Sequence, residues 1–341
     1  MSVLCLVELD GAGAADASLR ALSFARSVAG SGGGLAAVVF GDVAALTGGA
    51  SQGEARAGGA PAGETLAAYG VTDLYVVEPG QVAGYAPVAW ARVLAGLIGP
   101  AGAGAVLAAG TDRGSEVMAH LGALTGLPMA ANCVSATLSG PATWQIVRQR
   151  WAGLLLEDAV LEASPALATV ATDTVAPTPA DTSAALTIHV HQPGLEDGDL
   201  AVRATESAAQ SGGVSLANAR VVVGGGRGVG GPEGFAPLEE LAGLLGGVVG
   251  VSRVVTSEGW RPHKQQVGQT GTKITPELYL ACGISGAIQH IAGCASAKHI
   301  VAVNSDAGAP ILGHAEYAVI GDLHEVIPAL VAAIKARGGS A

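Results

Sequence analysis

Residues Gln265–His290 read Q-Q-V-G-Q-T-G-T-K-I-T-P-E-L-Y-L-A-C-G-I-S-G-A-I-Q-H. One short apolar strand, Leu278–Cys282, lies between two polar turns punctuated by glycine. Gly268 and Gly271 carry no Cβ, so a backbone there can come close to a ligand. Gln266, Gln269 and Thr270 add amide and hydroxyl groups. After the strand, Gly283–Ala287 turns into a helix start, where N–H groups have no intrahelical partner and suit an anion. Gln289 and His290 fall in its first turn. So many uncharged donors at two strand ends point to a bound anionic nucleotide rather than to a packed core.

Outward from this stretch the pattern alternates between strands and helices. On the N-terminal side, Val3–Glu8, Leu35–Phe40, Leu74–Val77 and Ala105–Ala109 read as buried strands. Ser18–Val28, Glu64–Tyr69, Pro87–Ile98 and Ser115–Leu124 read as helices. Such alternation predicts an α/β fold with a parallel sheet covered on both faces. Gln52–Gly63 reads as a loop. From Met129 to Thr172 short strands without helices (Asn132–Thr137, Thr143–Arg148, Leu154–Val160, Ala168–Thr172) predict a small antiparallel addition. Ala204–Asn218, rich in Ser, Ala, Gly and Gln, is the linker candidate. It divides an N-terminal α/β domain, residues 1–203, from a doubly wound α/β domain, residues 219–341. In the latter, Ala219–Val223, Val248–Val251, Ile300–Val303 and Tyr317–Ile320 read as further strands, and Leu238–Leu245 and Glu325–Arg337 as helices. Polar residues gather at the strand C-termini, where open α/β sheets bind ligands.

The 341 residues carry 52 glycines, 4% aromatics and a formal net charge of −11. That acidity argues against nucleic acid, whose phosphates need clustered Lys and Arg. The four cysteines form no C-x-x-C pair, so neither a zinc ribbon nor a dithiol site is indicated. Cys5 and Cys282 lie in apolar runs and read as buried hydrophobes. His263, His299, His314 and His324 show no metal-ligand spacing, and no H-E-x-x-H occurs. The charge-free run Val93–Gly110 is broken by Gly99–Gly104, against a membrane span. Met1-Ser2 leads into a strand without a basic leader, which reads as cytoplasmic.

Two polar junctions stay open on the residues alone. Thr111–Glu116 reads as helix capping by Asp112 or Ser115, with Glu116 in the first turn, or as an anion contact. Gly224–Gly230, with Arg227 inside it, serves either a tight turn or a dinucleotide loop.

Q-V-G-Q-T-G, P-E-L-Y and G-I-S-G-A-I-Q-H occur here in order. Gly250–Arg253 and Gly259–Pro262 precede them; Ile300–Asn304 and Ile320–Leu323 follow. Together they resemble the flavin-binding signature of the electron transfer flavoprotein alpha subunit. The resemblance is dense over the C-terminal third and loose before it. It implies FAD, one per alpha subunit, and an electron carrier without substrate turnover of its own. It places Arg227 at a phosphate and Arg253, after Ser252, beside the isoalloxazine ring. His290 is expected as a donor near the flavin C2 carbonyl, although a lone His is more often a packed core residue. Thr270 is expected near flavin N5 by its hydroxyl, with Gln269 beside it, on the Gln266-Val267-Gly268 and Gly271 turn. Ser285, Gly286, Ala287, Ile288 and Gln289 suit the pyrophosphate or ribityl region. Asn304, Asp322 and Leu323 match the AMP-moiety contacts. Arg253, Thr270 and His290 are thus the redox-tuning set. Ser115 stands where the family has Arg, and Ser305 where it has Lys; the Val-Arg-Pro-like turn near Thr169–Pro177 is missing.

The resemblance further implies a heterodimer with a beta subunit, met through the N-terminal domain and carrying AMP, or a second FAD if the complex is electron-bifurcating. Dehydrogenases, such as the acyl-CoA dehydrogenases of fatty acid beta-oxidation, and a quinone oxidoreductase are the implied transient partners, without membrane insertion. An NAD-binding enzyme is the rival class. It lacks an acidic ribose clamp about 20 residues past the Gly224–Gly230 turn.

Overall fold

The computed structural model describes every residue except 11–12, 31, 48–60, 81, 83, 154, 205–214, 218 and 339–341. The chain divides into two compact units, Met1–Ala208 and Ala209–Ala341. Most of the Ala204–Asn218 linker and of the Gln52–Gly63 loop lies outside the described residues.

The first unit runs β1 (Ser2–Leu6), β2 (Leu9–Asp10), β3 (Gly13–Ala14), α1 (Asp16–Ala29), β4 (Leu35–Phe40), α2 (Val43–Thr47), α3 (Ala62–Ala68), β5 (Asp73–Val77), α4 (Pro87–Leu97), β6 (Ala103–Ala109), α5 (Asp112–Thr125), β7 (Met129–Leu138), β8 (Thr143–Arg150), β9 (Leu155–Glu162), β10 (Ala166–Val170) and β11 (Thr187–Val190). Its nine-stranded sheet has the order β11-β5-β4-β1-β6-β10-β7-β8-β9. Successive side chains of a strand point to opposite faces. Val3 and Cys5 accordingly join one apolar cluster with Leu22 and Phe24 of α1. Leu4 and Leu6 join another with Trp90 of α4 and Met118 of α5.

Three local expectations change. The strand expected at Ala168–Thr172 is not part of an antiparallel addition. As β10 it lies between β6 and β7 and runs parallel to both. All five of its residues are buried, as a strand covered on both faces must be. Within the nine-stranded sheet, the antiparallel pairings among the described residues are β7-β8 and β8-β9. Strand β11 had not been expected at all; its short alternation T-I-H-V follows a Pro-rich run and pairs only with β5, at the sheet edge. Finally, α5 is capped by Thr111, not by Asp112 or Ser115. The Thr111 side chain accepts from Gly114 N at 2.9 Å. Glu116 accepts instead from the Tyr85 hydroxyl at 2.5 Å.

The second unit contains β12 (Val221–Gly225), α6 (Ala236–Leu244), β13 (Val248–Val251), α7 (Arg253–Ser257), β14 (Leu278–Cys282), α8 (Ile288–Cys294), β15 (His299–Asn304), β16 (Tyr317–Ile320) and α9 (Leu323–Ala336). Its sheet, β13-β12-β14-β15-β16, is wholly parallel. Val223, Leu280 and Val303 pack against α6 and α9. Val222, Tyr279 and Ala302 pack on the opposite face against α8. Strand β12 is followed by β13 on one side and has β14 on the other, so the strand order reverses between β12 and β14. Among the described residues no helix is long and apolar enough to cross a membrane, and all four cysteines are buried and free.

Candidate functional site

The reversal point fixes where the site lies, because a crevice opens there beyond the strand C-termini. Its floor needs glycine. Gly226 N donates to Cys282 O at 2.9 Å, and a Cβ on Gly226 would lie 2.2 Å from Gly283 O. One jaw is the loop from Gln266 to Thr270, and the other runs from Ser285 to His290. They are braced together: Gln269 N donates to Gln289 O at 2.7 Å, and Ile274 N to Gly293 O at 2.8 Å. A Cβ on Gly293 would lie 2.3 Å from Gly268 N, so the jaws touch backbone to backbone.

Between them opens a cavity of about 330 Å³. It gathers thirteen of the eighteen residues expected from the sequence: Arg227, Ser252, Arg253, Gln266, Val267, Gly268, Gln269, Thr270, Ser285, Gly286, Ala287, Gln289 and His290. Asn304, Asp322 and Leu323 line a second cavity of about 180 Å³, with Ser285 common to both. Gly271 and Ile288 line neither. Gly271 serves the turn, its N–H donating to Gly268 O, and the Ile288 side chain is 68% exposed.

The electrostatics favour an anion. Neither Arg227 nor Arg253 is ion-paired among the described residues, in a chain of net charge −11. In the same sense, the backbone N–H groups of Ser285, Gly286 and Ala287 donate to no described acceptor. Gly286 has φ +83° and lies where a Cβ would come 2.3 Å from Ile311 N. Only glycine holds this loop with its amides so placed.

His290, Asn304 and Asp322 turn out to have structural partners. The His290 Nε2 lies 2.8 Å from the Tyr279 hydroxyl. Nδ1 is buried with no hydrogen-bond partner at good geometry. Burial pushes the imidazole down to about 4, the Val267 backbone offsetting part of that shift. His290 is therefore neutral near pH 7, and the fixed positive charge here belongs to the two arginines. Burial likewise pushes the Tyr279 phenol well up, so it stays protonated. The Asn304 amide braces loops: Nδ2 donates to Ile284 O at 2.8 Å and Oδ1 accepts from Asp306 N at 3.0 Å. Asp322 caps α9, accepting from His324 N at 2.9 Å.

Sequence reasoning missed other lining residues: Val254, Ser257 and Glu258, and Asp306 and Ala309, whereas Gly228, Gly283, Ile284 and Ser305 fall in stretches the sequence had marked without assigning them a contact. Val254 and Ser257 sit on α7 and Glu258 caps its C-terminus; the five residues of α7 are too few to show a helical period. Thr256 of the same helix contacts Gln266. Among the described residues no cluster of His, Cys, Asp or Glu could hold a metal.

The family model described as "Electron transfer flavoprotein domain" matches residues 3–194. That described as "Electron transfer flavoprotein FAD-binding domain" matches residues 215–295, the span holding most of the main cavity's lining. The electron transfer flavoprotein subunit alpha of Mycobacterium leprae is 36% identical over 280 residues, 82% of this chain and 86% of that protein. The chain belongs to the electron transfer flavoprotein alpha-subunit family. The Bacillus subtilis electron transfer flavoprotein subunit alpha is 32% identical over 272 residues, covering 80% and 83% of the two chains. Protein FixB of Bradyrhizobium diazoefficiens is 35% identical over 275 residues, covering 79% and 74%.

As an electron transfer flavoprotein alpha subunit, the protein is a redox carrier with an FAD-binding domain, and its family implies a beta-subunit partner. The site suits such a dinucleotide on its own terms. The cavities adjoin at Ser285, and among the described residues two arginines lack acidic partners and three loop amides donate to no acceptor.

Proposed function

We propose that this alpha subunit holds one FAD along the two cavities. The observation that supports this most is their shared Ser285 lining beside the unpaired Arg227 and Arg253. Two cavities that share a lining residue suit the two halves of a dinucleotide, and the charge matches its pyrophosphate. Ser285, Gly286, Ala287 and Gln289 take the pyrophosphate or ribityl region. Asn304, Asp322 and Leu323 take the adenosine end. Arg253, Thr270, Gln269 and His290 take the ring, on the loop Gln266–Gly271. A bound flavin supplies one- and two-electron chemistry. The protein supplies donors and positive potential where negative charge develops. Arg253 lends charge, Thr270 a hydroxyl proton, and neutral His290 a single N–H.

The electron transfer flavoprotein family supports reading the chain as a carrier without substrate turnover of its own. The N-terminal domain, residues 1–203, meets the beta subunit, which carries AMP, or a second FAD in a bifurcating complex. Electrons arrive from dehydrogenases such as acyl-CoA dehydrogenases and leave to a quinone oxidoreductase, in the cytoplasm. The test is to mix the purified heterodimer with substrate-reduced acyl-CoA dehydrogenases and follow flavin absorbance in stopped flow. Bleaching at turnover rates is expected. A flavin left oxidised by every dehydrogenase tried would refute this donor class.

A further inference from the structure

Three polar side chains form a chain beneath the ring end of the main cavity. Thr256 Oγ1 lies 2.6 Å from Gln266 Oε1. Gln266 Nε2 lies 3.1 Å from Thr270 Oγ1. Gln266 is 2% exposed, so neither end of its amide can turn to water. Gln266 and Thr270 line the cavity. Thr256 stands behind them on α7, where its hydroxyl also lies 2.9 Å from Arg253 O.

The direction of each bond follows from distance and chemistry. An amide can face either way in such a chain. If Oε1 faces Thr256, the single Thr256 proton goes to it rather than to Arg253 O, Nε2 donates to Thr270, and the Thr270 proton is left over. If the amide is reversed, Nε2 donates to Thr256, whose own proton goes to Arg253 O, and Thr270 spends its proton on Oε1. An O–H···O bond is ordinarily near 2.7–2.8 Å and an N–H···O bond near 2.9–3.0 Å. The short contact at Thr256 is therefore the O–H···O bond and the long one at Thr270 the N–H···O bond. A hydroxyl that accepts one bond keeps its single proton to donate.

We propose that Thr256 and Gln266 are positioning residues that hold the amide in one sense and so oblige Thr270 to act as a hydrogen-bond donor into the cavity. The inference rests on the FAD reading for what receives that proton, an acceptor atom that gains negative charge on reduction. A donor there favours the reduced ligand over the oxidised one. Thr256 itself touches no ligand; it acts through Gln266. Without its hydroxyl, Oε1 has no donor at that end, and the amide is free to reverse and take the Thr270 proton.

The test compares Thr256→Val, which removes the hydroxyl at nearly constant volume, with Thr256→Ser, which keeps it. Two readouts are used, both on the full chain with its beta subunit. The first is the Gln266 side-chain amide pair by NMR, in protein stripped of flavin. The second is the reduction potential of the flavin-loaded heterodimer. In the Val variant the Gln266 amide resonances should move and lose protection from exchange. Its equilibrium for reduction should weaken about tenfold, roughly one net hydrogen bond, or ~59 mV for a one-electron couple. The Ser variant should match the wild type in both.

A Val variant with wild-type resonances and potential would overturn the proposal. So would moved resonances with an unchanged potential, or equal losses in Val and Ser, which would mark a packing effect. A wild-type chain that takes up no flavin would defeat the FAD reading instead. The amide readout would then still decide whether Thr256 sets the sense of Gln266: unmoved resonances in the Val variant refute it, and moved ones sustain the positioning role.

Discussion

The neutral state of His290 has a measurable consequence for stability. Its ordinary value is 6.5, and burial takes it down to about 4. Tyr279, hydrogen-bonded to Nε2, stays protonated throughout and adds no titration there. Between pH 4 and 6.5 the unfolded chain binds a proton that the folded chain refuses. Stability therefore rises with pH across that window, is flat above it, and is lost as pH falls through it. The full gap corresponds to about 3 kcal/mol. At 6% exposure solvent does little to screen it. His290→Gln removes the titration. Urea unfolding of both proteins at pH 4.5 and pH 7 gives a double difference in which other groups, such as the partly buried His191, cancel. The wild type should lose roughly 2–3 kcal/mol more than the variant on acidification. An NMR titration of the imidazole gives the same answer directly, with a midpoint near 4. A midpoint near 6.5, or equal acid losses in the two proteins, would refute the buried, neutral assignment. Positive potential at the ring would then have to include His290 as well as Arg253.

Three further outcomes are expected. Gly286→Ala forces a side chain onto φ +83° and against Ile311 N; it should cost on the order of 1–3 kcal/mol in denaturant unfolding and weaken FAD retention on a desalting column. Arg253→Ala removes an unpaired cation from the cavity and should lower the flavin potential or loosen FAD by about tenfold, read by potentiometry and by equilibrium dialysis. Thr111→Ala removes the α5 cap at Gly114 N and the hydroxyl that donates to Glu8. It should cost roughly 0.5–2 kcal/mol. Glu8, already raised by burial with the Thr111 bond opposing, should then titrate higher still, as NMR of its carboxyl carbon would show.

What was legible in the chain follows from the range of the forces involved. Val248–Val251, Leu278–Cys282 and Tyr317–Ile320 are short apolar runs ended by polar or glycine residues. Local patterning sets such boundaries, and the structure keeps all three. The two jaws were likewise visible, because glycines and uncharged donors crowd next to strand ends. The place of β10 was not visible. Its apolar run announces a buried strand, but its insertion between β6 and β7 depends on pairing partners far away in sequence. Strand β11 has only β5 to specify it. The same holds for side-chain direction. A Gln beside a Thr says nothing of a third residue, Thr256, ten positions upstream of Gln266. Nor does G-A-I-Q-H announce that Tyr279 will lie against His290.

The measurement that bears most directly on the whole account is the flavin content of the intact protein. The alpha chain, purified with its beta subunit, should be yellow and should release one FAD per alpha chain on denaturation, with Arg227→Ala and Arg253→Ala together lowering that ratio. A colourless heterodimer that stays colourless after dialysis against excess FAD would contradict it.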